Sequence, residues 1–375
     1  MNISLRSLRQ LVLFFILIWM EHGLAWAEQT PTEQEASWTQ VVRSSPYWVS
    51  QGVYNNILTI RSWVLGESGY CAESERHILF DMRGQFLAWI SNGNSREDTQ
   101  IRLNNTRRSL QEKGQADTWI PGSANTTGYP FALACDQPHV NLAEAVARYL
   151  GTLPAERVWG AWDDLSFATS EKPGTLHDAL MYVYQKRIDQ QRLTLPDELP
   201  RYLAGQILIE SGGQTRAHSS ANARGILQLS PSALSDCQLK PRNYWHRLAQ
   251  IDCALKLMDQ NARNLRPVYE QRFGHLPETK RNHLFTLLLI QAYHGGAARI
   301  QALLADDILS QPAAYFAAHQ ERFTAGDIAF GMVFHNLGRD NLGLASLYYV
   351  ADVQLATEAL CRTAHLKATS FCVPP

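Results

Sequence analysis

An apolar helical run that ends on a carboxyl residue and two glycines constrains this chain more than any other stretch. Leucine or isoleucine recurs at every fourth position within Glu198–Ile209, which predicts a helix with one apolar face. Gly212 and Gly213 predict the end of that helix, because glycine readily adopts the left-handed conformation that closes a helix. Glu210 is therefore expected in the last turn, beside an apolar wall.

That position disfavours the ionised form of Glu210. Burial removes water from a carboxylate, and the C-terminus of a helix presents partial negative charge to it. A glutamate so placed can keep its proton near neutral pH and act as a general acid. A single glutamate at a helix end is more often a solvated surface group, so the functional interpretation depends on the segments that follow.

Three short motifs occur in order from this residue onward. They are Glu210-Ser211, then Gly225-Ile226-Leu227-Gln228-Leu229 starting fifteen residues after the glutamate, then Ala292-Tyr293-His294-Gly295-Gly296. In sequence and spacing they resemble the soluble lytic transglycosylase domain, whose pattern is Glu-Ser, Gly-Leu-Met-Gln-Leu and Ala-Tyr-Asn-Ala-Gly. The resemblance covers about Pro196 to Leu304. It departs from the family at Leu227, where Met is usual, and at His294, where Asn is usual.

The resemblance implies a lysozyme-like, all-α fold shared with goose-type lysozymes, and cleavage of peptidoglycan between N-acetylmuramic acid and N-acetylglucosamine. It implies that Glu210 is the catalytic acid and base and that Tyr293 orients it. It also implies that Ser219 and Gln228 contact the sugar. Each residue also has a purely structural interpretation. Ser219 could be a turn residue, Gln228 could bond the backbone of its loop, and Tyr293 could be a core aromatic residue. His294 would either replace the hydrogen bond of the usual Asn, making activity depend on pH, or face solvent.

Acidic residues are absent from the segment that follows the glutamate, Ser211–Leu234. Glycoside hydrolases usually need a second carboxylate as nucleophile or base. The transglycosylase route needs only one, because the sugar's own 6-hydroxyl attacks and closes a 1,6-anhydro ring. A lysozyme-like hydrolase and a non-catalytic protein that binds cell-wall glycan remain the alternatives. A place in an envelope-spanning machine is compatible with the transglycosylase interpretation.

The first 27 residues have the pattern of a signal peptide. Arg6 and Arg9 precede the uncharged run Leu11–Met20, and Ala25-Trp26-Ala27 follows as a small-x-small cleavage site. The run is too short to cross a bilayer, which takes about 20 residues. We therefore expect cleavage after Ala27 and a periplasmic protein.

The net charge and the cysteines limit which ligands and cofactors can be expected. The net charge is −1 and no basic run occurs, so we predict no nucleic-acid partner and expect peptidoglycan glycan strands instead. All six cysteines follow residue 27, and an even number in an exported chain favours disulfides. We predict sequential pairs, Cys71–Cys135, Cys237–Cys253 and Cys361–Cys372. The cysteines lack paired CxxC spacing, so no metal is predicted, and no cofactor either.

The predicted fold class is mainly α. A small accessory α+β region is expected over residues 28–190, followed by a lysozyme-like catalytic domain over residues 191–375. Arg281–Tyr293 is nearly all apolar in its middle, which places that helix in the centre of the catalytic domain.

Three features are predicted within the accessory region. Short apolar runs around a glycine-bearing turn predict a β-hairpin over Arg76–Ser91. Asn141 and Thr175 each precede an acidic residue by three positions, a pattern that predicts two capped helices. Ser91–Thr127 is rich in polar residues and glycine, and we expect mostly exposed irregular structure there.

Overall fold

Helices dominate the computed structural model, which describes residues 33–136, 140–152 and 156–373. The predicted signal peptide lies outside these residues. The α-helices of the described residues are α1 Glu33–Ser44, α2 Val53–Leu65, α3 Arg96–Glu112, α4 Leu142–Tyr149, α5 Leu176–Asp189, α6 Leu199–Ser211, α7 Pro231–Asp236, α8 Arg247–Phe273, α9 Glu278–Gly295, α10 Ala297–Ala305, α11 Gln311–Ala318, α12 Ala325–Phe334 and α13 Leu344–Cys361. The mainly-α fold class is therefore confirmed.

Two small antiparallel sheets lie in the N-terminal half. Their strands are β1 Arg76–Phe80, β2 Phe86–Ser91, β3 Phe131–Ala134, β4 Gly160–Trp162 and β5 Leu165–Phe167. The first sheet has the order β2-β1-β3, with Ile78 opposite both Trp89 and Leu133, and β4 pairs with β5. The hairpin predicted over Arg76–Ser91 is thus confirmed, and its turn is closed by Asp81, which accepts hydrogen bonds from the backbone of Gln85 and Arg83.

The irregular structure expected over Ser91–Thr127 is wrong for its first half, where α3 forms. Ser95 caps this helix by accepting a hydrogen bond from the backbone N–H of Asp98, 3.1 Å away. Leu103 and Leu110 pack on Leu79 of the sheet, so a narrow apolar stripe anchors an otherwise polar helix. A polar composition therefore does not exclude a helix here, because the Ser95 cap and a narrow apolar stripe are enough to form it.

The helix caps predicted at Asn141 and Thr175 are present. Asn141 Oδ1 accepts the backbone N–H of Glu144 at the start of α4. Thr175 and Asp178 exchange reciprocal side-chain-to-backbone bonds at the start of α5, which is a capping box.

All three predicted disulfides, Cys71–Cys135, Cys237–Cys253 and Cys361–Cys372, are present. Such bonds are typical of proteins in oxidising compartments outside the cytoplasm. Within the described ranges, no helix combines the length and apolarity needed to cross a membrane.

The hydrophobic core is continuous across residue 190, the predicted domain boundary. It runs from Val42 in α1 to Leu366 beyond α13, and residues 284–292 of α9 are buried without interruption, as expected of a central helix. The domain boundary itself stays a prediction.

Polar contacts join the N-terminal helices to the C-terminal ones. Arg61 of α2 donates to both carboxylate oxygens of Asp352 in α13, at 2.6 and 2.7 Å. The backbone N–H of Tyr54 donates to Asp327 of α12 at 3.2 Å. Because α13 packs on both α2 and α6, the N-terminal region holds one wall of the C-terminal helices in place.

Removing one partner of the buried Arg61–Asp352 pair should therefore destabilise the whole protein. We expect Arg61→Met to lower the free energy of unfolding by about 3–5 kcal/mol, because it leaves the Asp352 carboxylate buried without its cation. Denaturant unfolding of the full chain measures this.

Arg362→Met is the matched control for that experiment. Arg362, the residue directly after α13, pairs with Glu358 of that helix, but at 3.8 Å with both side chains exposed, and such a pair contributes about 0–1 kcal/mol. Equal losses for the two variants would contradict the role assigned to the buried pair.

Candidate active site

Helix α6 ends as the sequence predicts, with Glu210 in its last turn. Gly212 has φ +61°, the left-handed conformation that closes the helix. Ser211 Oγ lies 2.8 Å from the carbonyl oxygen of Ile226 and 3.1 Å from that of Ile207. The serine of the first motif therefore ties the helix end to the second motif.

The second motif, residues 225–229, forms a turn that α8 and α9 hold in place. Gln250 of α8 donates to the carbonyl of Arg224 at 3.1 Å and accepts the backbone N–H of Leu227 at 3.3 Å. A Cβ atom on Gly225 would lie 1.7 Å from Gln250 Nε2, so this approach requires glycine. Tyr293 of α9 donates its hydroxyl to the carbonyl of Leu227 at 2.6 Å.

A short chain of hydrogen bonds ends on the carboxyl group of Glu210. Gln206 Nε2, one turn earlier on α6, donates to the hydroxyl oxygen of Tyr349 at 3.0 Å. The hydroxyl of Tyr349, on α13, donates to Glu210 Oε1 at 2.5 Å. Gln206 is completely buried and Tyr349 nearly so, which shields the chain from water.

In this arrangement the ionisable proton of Glu210 belongs on Oε2, because Oε1 accepts the hydrogen bond from Tyr349. Since Tyr349 Oη already accepts from Gln206, its own proton points at Oε1, which is thereby kept as an acceptor. Among the described residues Oε2 has no hydrogen-bond partner. A neutral Glu210 would therefore carry its proton on Oε2, free to be given to a ligand.

Burial raises the pKa of Glu210 to about 7, and the hydrogen bond from Tyr349 opposes part of that rise. In the part of the chain that the structure describes, no other carboxylate perturbs this pKa. Glu210 also contributes to the raised pKa of Tyr293, after the larger effect of burial, so the two groups are electrostatic neighbours. The carboxyl group is thus poised to gain or lose a proton near neutral pH.

Tyr293 and Tyr349 divide the role that the sequence assigns to one tyrosine. Tyr293 lies near Glu210, but its hydroxyl bonds the carbonyl of Leu227 and so fixes the second motif. The bond to the acid comes from Tyr349, which sequence reasoning missed. The one signal in the sequence was a tyrosine pair, Tyr348-Tyr349, within the apolar segment that forms α13.

Ser219 and Gln228 lie in the loop between α6 and α7. Ser219 Oγ accepts the backbone N–H of Ala223 at 3.1 Å and closes a turn. Gln228, at φ +44°, donates through Nε2 to the carbonyls of Gly225 and Ala217 at 2.9 and 3.1 Å. Its Oε1 accepts no hydrogen bond from the described residues, so an acceptor is left for a ligand hydroxyl or N–H.

His294 stacks on Tyr349, with ring centroids 4.2 Å apart and planes 17° from parallel. Burial lowers the pKa of His294, with a further contribution from the charge of Arg299. Its side chain remains exposed on one side. His294 therefore packs directly against the tyrosine that donates to Glu210.

No protein-family model matches this chain, and no curated protein sequence matches it significantly.

Replacing Tyr349 by phenylalanine should raise the pKa of Glu210 further. The hydroxyl stabilises the carboxylate, and a hydrogen bond to a charged group is worth about 1.5–3 kcal/mol, or about 1–2 in pKa. Titration of the labelled Glu210 carboxyl carbon by NMR measures the change.

Tyr348→Phe is the control for that titration. Tyr348 precedes Tyr349 on α13, but its ring packs on Phe80 and Arg61, and its buried hydroxyl has no hydrogen-bond partner among the described residues. A pKa that falls in Tyr349→Phe, or that rises equally in both variants, would contradict the assigned contact.

Glu210→Gln should stabilise the protein at alkaline pH. The pKa of Glu210 in the folded protein lies above its ordinary value of 4.5, so the stability linked to this group is present below about pH 4.5 and is lost as pH rises through 7. Relative to wild type, the free energy of unfolding of Glu210→Gln should gain about 3 kcal/mol between acidic and alkaline pH. Denaturant unfolding across that pH range tests this, and a difference independent of pH would contradict it.

Proposed function

We propose that this protein is an exported lytic transglycosylase with a lysozyme-like fold, which cleaves the N-acetylmuramic acid–N-acetylglucosamine bond of peptidoglycan. The observation that carries the proposal is Glu210 at the end of α6, whose pKa burial raises to about 7 and which no second carboxylate among the described residues perturbs. The three ordered motifs in the sequence support the same family. The three disulfides support an exported, oxidising location, which for this substrate is the periplasm.

In the first step Glu210 acts as a general acid. Near neutral pH a large fraction of the carboxyl groups is protonated, and the proton on Oε2 goes to the glycosidic oxygen as the bond to the anomeric carbon breaks. The substrate's own acetamido group stabilises the positive charge that develops at that carbon. Tyr349 stabilises the carboxylate that Glu210 becomes, because its hydroxyl already donates to Oε1.

In the second step the same residue acts as a general base. Ionised Glu210 takes the proton from the 6-hydroxyl of the muramoyl sugar, and that oxygen forms a bond to the anomeric carbon. The 1,6-anhydro ring closes, Glu210 regains its proton, and no water is consumed. The attack is intramolecular, so proximity replaces the second carboxylate that a hydrolase uses to activate water.

The surrounding loop supplies substrate contacts in this proposal. Gln228 offers its unpaired Oε1 to a sugar amide or hydroxyl, while its Nε2 keeps the side chain oriented. Ser219 holds the turn beside it and is the second polar contact that the family resemblance implies. His294 sets the position of Tyr349 by stacking rather than by the hydrogen bond of the usual Asn.

Purified protein incubated with peptidoglycan should release fragments lighter by one water than the products of hydrolysis. Glu210→Gln should release none, because it lacks the proton for the leaving oxygen, and mass spectrometry of the fragments decides. His218→Gln is a matched control, since His218 lies in the same loop but bonds Asn222. It should retain the light products.

Each of the other outcomes identifies an alternative. Fragments at the hydrated mass would indicate a lysozyme-like hydrolase. Binding to peptidoglycan without release by either form would indicate a non-catalytic glycan-binding protein.

A further inference from the structure

A histidine that the proposed acid–base chemistry does not use lies at the start of α8. His246 is the N-cap of this helix, and its Nδ1 accepts the backbone N–H of Ala249 at 3.3 Å. N-cap side chains are usually serine, threonine, asparagine or aspartate, whose oxygens accept hydrogen bonds on both sides of neutral pH. An imidazole nitrogen accepts only while it is unprotonated, so this cap depends on the charge of the ring.

The other ring nitrogen of His246 faces the β4–β5 hairpin. A Cβ atom on Gly160 would have His246 Nε2 as its nearest neighbour, at 3.8 Å, and the ring centroids of Trp162 and His246 lie 5.9 Å apart. Because Nδ1 accepts a hydrogen bond, the single proton of the neutral ring is on Nε2, on the side of the hairpin.

Hydrogen bonds connect this cap to the turn of the second motif. The carbonyl of His246 accepts the backbone N–H of Gln250 at 3.0 Å, so Gln250 lies in the helical turn that the ring caps. The side chain of Gln250 accepts the backbone N–H of Leu227 at 3.3 Å. The carbonyl of Leu227 in turn accepts the hydroxyl of Tyr293 at 2.6 Å. These contacts end on Tyr293, the electrostatic neighbour of Glu210.

The surroundings of His246 favour the neutral ring. Burial lowers its pKa from the ordinary value of 6.5, the charge of Arg247 lowers it further, and a hydrogen bond to the backbone of Ala161 opposes both. Since the pKa in the folded protein lies below the ordinary value, the stability linked to the neutral ring is present above pH 6.5. It is lost as pH falls through the pKa of the folded protein.

The charged groups of the adjoining elements have partners of their own. On the hairpin and on α8, Asp164 and Asp252 both accept hydrogen bonds from Arg187, at 2.6 and 2.7 Å. In the loop between α6 and α7, the guanidinium of Arg224 lies over the ring of Tyr244, 5.0 Å from its centroid. These contacts leave the ring of His246 with a neighbouring cation and without a carboxylate, among the described residues, that would stabilise its proton.

Protonation of His246 removes the cap. Nδ1 becomes a donor and no longer accepts the Ala249 N–H, and a positive charge at the N-terminus of a helix opposes the helix dipole. We propose that neutral His246 is a positioning residue that holds Gln250 and the second-motif turn in place, and that its protonation releases them. The inference rests on the proposed function, to which it adds a loss of activity toward acid pH, here called the acid limb.

The test measures kcat/KM for peptidoglycan cleavage between about pH 4 and 7, where a histidine titrates. We expect the wild-type value to fall below about pH 6.5. His246→Asn keeps a cap acceptor that does not titrate, so it should retain wild-type activity at pH 7 and lose the acid limb. His246→Ala lacks the acceptor and should lose about fivefold in kcat/KM at pH 7, which corresponds to the value of one side-chain cap.

His275→Gln is the matched control. His275 is exposed just beyond the other end of α8, where Nε2 lies 3.0 Å from the carbonyl oxygen of Ala317. This variant should keep the wild-type acid limb. An acid limb that is lost in His275→Gln as well, or one that persists in His246→Asn, would overturn the proposal.

Amide hydrogen exchange separates this inference from the proposed function, because it needs no substrate. Protection of the Ala249 and Leu227 N–H groups should fall in wild type as pH drops through the pKa of His246, and should stay constant in His246→Asn. Equal changes in both proteins, or none in wild type, would overturn the role of His246. The predicted exchange result together with no cleavage by wild type at any pH would overturn the proposed function and support the positioning by His246.

Discussion

The site depends on one costly arrangement, the withdrawal of the Glu210 carboxyl group from most of the solvent at the end of α6, where a tyrosine hydroxyl is its one hydrogen-bonding partner among the described residues. A buried carboxylate is stabilised by cations or by several donors, and Glu210 has neither among the described residues. Its pKa therefore rises to about 7, while the bond from Tyr349 keeps it from rising further. The same burial that destabilises the fold at alkaline pH makes the group useful as an acid near neutral pH.

The rest of the fold serves to hold that arrangement. Tyr349 lies on α13, and α13 is bound to α2 through the buried pair of Arg61 with Asp352, three residues beyond the tyrosine. Tyr293 and Gln250 fix the loop of the second motif from α9 and α8. The N-terminal region, which looks like a separate accessory unit in sequence, thus contributes to the position of the acid's partner.

Local features and the three disulfides were predictable from the sequence, whereas the long-range contact that completes the site was not. The end of α6 at Gly212 and the caps at Asn141 and Thr175 follow from conformational preferences within a few residues. Tyr349 reaches Glu210 across 139 positions, and nothing local in a helix of mixed apolar residues indicates which tyrosine will face an acid. The strand β3 likewise depends on pairing with β1, and α3 depends on packing against the sheet.

The most direct test of the central claim is the pH dependence of kcat/KM for wild-type glycan cleavage, which reports the ionisation of the free enzyme's acid. The account predicts that kcat/KM falls as pH rises through about 7, because Glu210 must be protonated to act. A fall near the ordinary pKa of a solvated glutamate, or a rate independent of pH across this range, would contradict the assignment of Glu210 as a buried general acid.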